Sequence, residues 1–297
     1  MKKSVKVTLI VAAALVGLGL CLSAAGFAMG GRFSDLRNLR LDPATGAWEQ
    51  AETPTPTEAL YTGSDYILPE GTETTALDID WISGEVEILV TSDSDILVRE
   101  QPEHETSYSY AMVVTEQDGV LKVRYTEDAF LTLPDLPAKK LTVQLPRAVA
   151  EHLTEVRLNS VSADFDVAAL TVKETLTFDS VSGDLETDPI TADSAKLTTV
   201  SGKIDLDGSF RQVTGGSTSG EVDLTLRKCP DRIELNTVSG NVDLELPRNA
   251  GFTLDYSTVS GDLESDFPLT AGGTCGDGSG SITINTTSGD LKIEDLD

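Results

Sequence analysis

A Ser-Gly step between two short β-type runs recurs along this chain and constrains it more than any other feature. It reads Val-Ser-Gly-Asp-Leu at 181–185, Val-Ser-Gly-Lys-Ile at 200–204 and Thr-Ser-Gly-Glu-Val at 218–222, and it returns at 238–242, 259–263 and 287–291. A degenerate copy, Val-Ser-Ala-Asp-Phe, stands at 161–165. The phrase serines, from Ser162 to Ser288, are spaced 20, 19, 18, 20, 21 and 28 residues apart. A near-constant period of about 20 residues signals a repeat architecture, in which each unit buries its apolar face only against its neighbours.

Within one unit, Ile233, Leu235, Thr237 and Ser239 alternate with polar residues, and then Val242, Leu244 and Leu246 alternate again. Period two marks a strand with one buried face. The interval from Ser239 to Val242 is three, so the phase slips at Ser-Gly, as it does between Ser182 and Leu185 and between Ser260 and Leu263. A corner in which glycine takes a positive φ accounts for the slip. On that reading Gly183, Gly202, Gly220, Gly240, Gly261 and Gly289 are the corner residues.

Two architectures accommodate such a unit. A meander with Ser-Gly at each hairpin tip needs about fourteen strands in one sheet, more than the roughly ten that an open twisted sheet tolerates. It also leaves the residue identity of each column unexplained. A β-solenoid stacks equivalent residues about 4.8 Å apart and explains both. The expected fold is therefore all-β, with a solenoid of about 20 residues per coil over 156–297. Residues 76–155 carry irregular strand-like runs that cap its open end, and 147–153 is the one plausible helical turn.

The N-terminus bears on the compartment. Lys2, Lys3 and Lys6 precede an uncharged stretch from Val7 to Gly31, long enough to span a bilayer. A cleavable leader has a shorter apolar core, and Gly26-Phe27-Ala28 is the candidate cleavage site for that alternative. The length favours an uncleaved signal-anchor with residues 1–6 inside and the bulk of the chain outside the cell membrane. Residues 32–75, with Thr53-Pro54-Thr55-Pro56-Thr57, read as an extracytoplasmic tether.

Charge excludes one class of partner. The chain carries 22 Lys+Arg against 49 Asp+Glu, a net charge of −27. So acidic a domain repels nucleic acid and anionic lipid headgroups, leaving cationic partners, metal ions or simple solubility. Two outward columns concentrate the acids. Directly after the glycines come Asp164, Asp184, Lys203, Glu221, Asn241, Asp262 and Asp290. Two residues on come Asp166, Glu186, Asp205, Asp223, Asp243 and Glu264, then Lys292. In a register stack the second set is a ladder of like charges about 5 Å apart, a candidate Ca²⁺ or cationic-ligand face. Against calcium, the glycine-rich nonapeptide of calcium β-rolls is absent, and Ca²⁺ seeks six to eight converging oxygens.

Signals for catalysis are weak. His104 and His152 lie in no triad or metal-ligand spacing, and Gly-Ser-Gly at 278–280 lacks a nucleophile-elbow pattern. Carboxylate pairs such as Asp184 with Asp205 could serve a glycan-cleaving β-helix, but so many acids generate such pairs by chance. Cys229 and Cys275 lie beyond the expected span, where a disulfide is permitted but not implied.

The serial Val-Ser-Gly-Asp-Leu and Thr-Thr-Ser-Gly-Asp-Leu-Lys-Ile phrases, the Leu-Thr-Val-Gln-Leu-Pro run at 141–146 and the single N-terminal apolar segment together resemble a known family. It is the bacterial candidate-adhesin family of β-strand-repeat domains of unknown function, which includes the LiaG-like membrane proteins. The resemblance covers about 76–297. It implies a right-handed, β-helix-like fold on the outer side of a bacterial, Gram-positive membrane, and it carries over no catalytic residue. The expected protein is a membrane-anchored, non-catalytic surface module without a cofactor, which meets a protein or glycan ligand or takes part in an envelope-stress response. A glycan-active enzyme and an acidic spacer stiffened by Ca²⁺ are the alternatives.

Overall fold

The structure is a computed structural model that describes residues 39–41, 48–50, 61–62, 65–68, 71, 73–102, 111–126 and 137–296. The span expected at 7–31 lies outside the described residues; among these, no helix is long and apolar enough to cross a membrane. The fold is all-β and solenoid-like, with one helical turn, Arg147–Ala150, among the described residues.

Each coil contributes one strand before the Ser-Gly step and one after it, and the two sets form two parallel sheets. In the first sheet, Ala76–Thr91 pairs through its opening half with Leu153–Val167, which pairs with Val172–Ser180. Ile190–Thr199, the closing half of Ile204–Ser217, and Arg232–Thr237 follow in parallel. In the second, the closing half of Ala76–Thr91 and that of Leu153–Val167 are followed by Leu185–Thr187, Ile204–Ser217, Val222–Leu226 and Val242–Pro247. The register carries Ser160 to Ser180, Thr199, Ser217 and Thr237, so the sequence period is the coil. Inward columns such as Val86, Phe165, Leu185, Ile204, Val222 and Val242 are all at most 2% exposed. Each such side chain is stabilised by about 1.5–3 kcal/mol through leaving water.

The order of the coils departs from the sequence at both ends. Gly280–Asn285 pairs with Arg232–Thr237 on one side and Phe252–Ser257 on the other. Likewise Leu291–Leu296 lies between Val242–Pro247 and Leu263–Ser265. The last coil in sequence is thus next to last in space, and the coil 252–265 closes the stack. The open edge is therefore the three-residue strand Leu263–Ser265, where Leu263 is 40% exposed because, among the described residues, no coil lies beyond it. Phe267 folds back over Phe252, ring centroids 5.4 Å apart, to cover the core behind this edge.

At the other end, Ala76–Thr91 is no cap but a full coil, in register with 155–167 over both halves. Val120–Arg124 and Lys139–Pro146 stack outside it, and the antiparallel strands Val113–Gln117 and Ile96–Pro102 close the two sheets. The tether expected over 32–75 ends earlier than that. Tyr61–Thr62 pairs with 113–114 and Asp65–Leu68 with 96–99, because the capping strands leave open backbone edges that these segments satisfy.

Candidate functional site

The recurring phrase is consumed by the corner itself. Its glycine faces inward: Gly183, Gly202, Gly220, Gly240 and Gly289 are buried, while the neighbouring phrase serines are exposed. The phase therefore slips between the residue three before glycine and the glycine, not between serine and the following aliphatic. None of the six corner glycines has a positive φ; Gly84, in the earliest copy, does, at 107°. Proximity is what demands glycine. A Cβ on Gly202 would lie 2.1 Å from the carbonyl oxygen of Gly183, and one on Gly220 1.9 Å from that of Gly202. The glycines form a column in which backbone stacks on backbone, with no room for a methyl group.

The buried hydroxyl three residues earlier completes the corner. The N–H of Ala163 donates to Ser160 Oγ at 2.7 Å, that of Gly183 to Ser180 Oγ at 2.8 Å and that of Gly202 to Thr199 Oγ1 at 2.9 Å. Thr258 and Thr286 accept from Gly261 and Gly289 at 2.8 Å each. In the Thr237 coil the hydroxyl donates to Gly240 O instead, and Ser217 Oγ is buried with no partner. Extended chain that turns a buried corner exposes an amide with no ladder partner, and this hydroxyl supplies the acceptor. The serines of the phrase play a lesser part. Ser182, Ser201, Ser219 and Ser239 donate outward hydroxyls to the carbonyl of the preceding coil at 3.2–3.3 Å.

The column directly after glycine is also structural. Asp184 N–H donates to Asp164 Oδ1 at 2.9 Å, and Lys203 N–H to Asp184 Oδ1 at 2.6 Å. Further along, Asp290 N–H donates to Asn241 Oδ1 and Asp262 N–H to Asp290 Oδ1. Asp and Asn recur here because a short side-chain oxygen reaches the amide of the next coil. Asp184 and Asp205, the sample acid pair for glycan cleavage, both serve Lys203: one caps its backbone, the other meets its ammonium at 3.3 Å.

The expected ladder of Asp166, Glu186, Asp205, Asp223 and Asp243 runs along the outer face of the second sheet in register. Lys292 then stands between Asp243 and Glu264, so the ladder is broken before its end. Over nine strands, from Lys139–Pro146 to Leu263–Ser265, this face presents thirteen carboxylates and three lysines in its two columns beside the corner. The equivalent two columns of the first sheet present five carboxylates and four basic groups, and the rest are mostly Thr, Asn and Ser. The acidity is one-sided.

Each lysine that enters the acidic face is gripped by two carboxylates or by one at close range. Lys140 Nζ lies 3.1 Å from Glu85 and 3.2 Å from Glu87; Lys203 Nζ lies 2.7 Å from Asp223 and 3.3 Å from Asp205. The Asp223 carboxylate beside it pushes the Lys203 ammonium well above its ordinary range. Lys292 Nζ meets Glu294 at 2.8 Å. The carboxyl oxygens of Glu221, Asp223 and Asp243 lie within 4.8 Å of one another, a trio that could share a divalent cation. Partial burial, and then Asp223 and Glu221, push the Asp243 carboxyl above its usual value.

A second polar cluster, which sequence reading missed, plugs the opposite end of the corner. Lys139 stacks on Gly84 at the head of the glycine column and is 1% exposed. Its Nζ donates to Glu100 Oε2 at 2.8 Å and to Tyr125 O at 2.6 Å, and it lies 3.8 Å from the Tyr125 ring centroid and 4.8 Å from that of Trp81. Burial lowers the pKa of this lysine while Glu100 opposes the shift. Trp81 replaces the hydroxyl of the corner and donates Nε1–H to Lys139 O at 3.1 Å. Lys139, Glu100, Trp81 and Tyr125 are far apart in sequence, and none repeats, so no periodic signal marks them.

The remaining candidates stay apart. His152 Nδ1 sits 2.9 Å from Ala148 O at the helical turn, and His104 lies outside the described residues. Cys229 and Cys275 carry free thiols, which contact the carbonyls of Gly251 and Ala250 respectively.

Comparison with known proteins places this architecture. The sequence matches the Toastrack DUF4097 family over residues 74–294. The chain belongs to that family. No curated protein matches it. Solved structures similar to it include three from bacteria. They are a candidate cell adhesion protein from Clostridium sporogenes ATCC 15579 (12% identity, 78% of this chain and 99% of that one, TM-score 0.33) and a candidate adhesin from Bacteroides fragilis NCTC 9343 (14%, 78% and 96%, TM-score 0.44). The third is a candidate lipid-binding protein from Parabacteroides distasonis ATCC 8503 (15%, 77% and 95%, TM-score 0.42). The family match spans both sheets and the corner column.

Proposed function

We propose that this Toastrack chain is a non-catalytic surface interaction module: a right-handed solenoid of about 20 residues per coil, held at the outer face of a bacterial cell membrane by residues 7–31. The observation that carries the reading is the division of labour at the corner. The recurring hydroxyls, glycines and first-column acids are committed to hydrogen bonds and close packing between coils. What remains free to vary is the outer surface of two parallel sheets, which suits display to a protein or glycan partner. A glycan-cleaving reading would require acids on opposite sides of a bound sugar, at the separations such chemistry uses.

Two measurements test the proposal together. An epitope after Asp297 is expected to be reached by antibody on intact protoplasts, and one before Met1 only after permeabilisation. The purified full chain is expected to bind isolated cell envelopes saturably without shortening their glycans. A C-terminal epitope hidden from outside, or release of glycan fragments, overturns it.

One observation favours a second role for part of the same face. Asp223 Oδ1 is buried with no partner, beside Glu221 and Asp243. Three carboxylates are too few to fill a calcium shell, so an ion held there keeps several waters and binds weakly. The unfolding midpoint is then expected to rise more in Ca²⁺ than in Mg²⁺ at matched ionic strength, by linkage of binding to folding. An equal response to both ions removes this role.

A further inference from the structure

We propose that the acidic sheet is a docking surface for an extended, lysine-bearing polypeptide segment, seated where Asp164, Asp166, Asp184 and Glu186 face outward on two consecutive coils. The inference rests on the reading of the chain as an interaction module and names the partner's chemistry. Three observations converge on this place. The charge is one-sided, since the first sheet of the same solenoid is nearly balanced over the same number of columns; general solubility needs no such asymmetry. Next, the face already holds ammonium groups of its own. Lys140 takes Glu85 and Glu87 at one side of the gap, and Lys203 takes Asp205 and Asp223 at the other. Between the carboxylates so paired lie two coils whose four carboxylates, Asp164, Asp166, Asp184 and Glu186, are all exposed, and among the described residues no Lys or Arg forms an ion pair with any of them.

The geometry selects the shape of the partner. Successive coils are about 4.8 Å apart, and residues i and i+2 of an extended chain are about 6.7 Å apart on the same side. Two lysines separated by one residue therefore reach adjacent coils when the segment runs along the solenoid axis. A lysine ammonium donates three hydrogen bonds, so each can bridge carboxylates of both columns, as Lys140 does with Glu85 and Glu87, or of adjacent coils, as Lys203 does with Asp205 and Asp223. Such a contact acts chiefly on encounter rate and selectivity, and it weakens with salt.

The test uses the full chain and a ten-residue peptide of alternating Lys and Ser, with the Glu–Ser peptide as control. Direct binding is measured by calorimetry or fluorescence anisotropy. The Lys–Ser peptide is expected to bind and the Glu–Ser peptide not. Raising salt from about 0.1 M to about 1 M, which shortens the screening length from about 10 Å to about 3 Å, is expected to abolish binding. The variant D164N/D166N/D184N/E186Q is expected to lose about tenfold or more in affinity. Asn keeps the acceptor oxygen that residues 164 and 184 offer the next coil, as Asn241 does, so the corner survives; an unchanged unfolding midpoint verifies it. A second variant, D93N/D118N/E151Q/D255N, removes the same charge elsewhere and is expected to bind like the parent. Equal losses in both variants mean that net charge alone attracts the peptide, and the proposal falls. No binding at all also overturns it, while saturable retention on envelopes then leaves the broader function standing. Loss of both takes both readings down.

Discussion

Thr199 and Ser201 allow the corner to be tested residue by residue, because the two hydroxyls are one residue apart and are predicted to matter unequally. Thr199 is fully buried, and its Oγ1 accepts the Gly202 amide at 2.9 Å. Thr199→Val keeps the shape and the β-branch but leaves that N–H buried without an acceptor. The expected cost is that of an unsatisfied buried donor, about 1–3 kcal/mol. Ser201 is exposed, and its hydroxyl donates at 3.3 Å to Val181 O, which also accepts the Ser201 amide at 2.9 Å. Ser201→Ala therefore orphans nothing and is expected to stay within about 0.5 kcal/mol of the parent. Guanidinium unfolding of the full chain, followed by far-ultraviolet circular dichroism, compares the midpoints. A stack of repeats can lose coils in stages, so an unchanged slope is required before midpoints become energies. If Ser201→Ala costs as much as Thr199→Val, the serine rather than the buried threonine organises the corner, and the account given for the phrase is wrong.

Three further perturbations probe other parts of the fold. Gly202→Ala puts a methyl group 2.1 Å from the Gly183 carbonyl, and with backbone on both sides it is expected to cost at least about 3 kcal/mol; Gly272→Ala, which meets only Thr270 Oγ1 at 3.9 Å, is expected to be near neutral by the same guanidinium assay. Lys139→Met strands the Glu100 carboxylate in the interior at about 3–5 kcal/mol, and adding Glu100→Gln, which can still accept the Met112 amide, is expected to restore most of the loss; a double variant as weak as the single one refutes the pairing argument. The Arg99 guanidinium, hydrogen-bonded to Asp65 at 2.9 Å, holds that carboxyl below its usual 3.8. A depressed carboxyl contributes stability above the unfolded value and loses it as pH falls through the folded one, so the deficit of Asp65→Asn is expected at pH 7 and to close below about pH 3.8. A deficit that persists in acid would assign the effect to lost packing of the strand Asp65–Leu68.

The repeat, the all-β class and the coil length were legible because they are periodic, and stacking in register forces the same residue type into the same place. The reason for glycine was not. Sequence alternation put Ser239 on the buried face, but it is exposed and Gly240 is buried, since the turn falls two residues earlier than the slip in hydrophobicity implies. A Ser or Thr three before each glycine was present in the sequence, yet in strands such residues pass as ordinary β-formers, and only the buried amide reveals what they accept. Coil order was hidden for another reason. The 21-residue step matches the others and the 28-residue step reads as one coil with a longer return, so nothing local shows that 280–296 slips inside 252–265. The Lys139 plug depends on pairings across 39 and 58 residues, which alternation within one strand cannot register.

The two ends of the solenoid are solved by different chemistry, and the difference bears on which end meets a partner. An interior coil satisfies its corner with the next one, so each end inherits an unfilled hydroxyl–glycine column. At the N-terminal end the column is filled outright by Trp81, Tyr125 and the buried Lys139–Glu100 pair, with rings 5.1 Å apart and edge to face. Burying that pair gains little energy over an apolar plug. Its effect is to fix one arrangement of strands that reach the corner from four separate segments. At the C-terminal end Tyr256 Oη reaches Gly289 O at 3.0 Å and Asp262 O at 3.2 Å, but Leu263 remains open to solvent. A fully satisfied end has no unmet hydrogen bond to offer, whereas a short strand with one free side offers both backbone groups and an apolar contact. Self-association through the distal edge is held back by its length of three residues and by Asp262, Glu264 and Asp266 around it. That balance makes the sheet faces, rather than the ends, the surfaces on which specificity can be written.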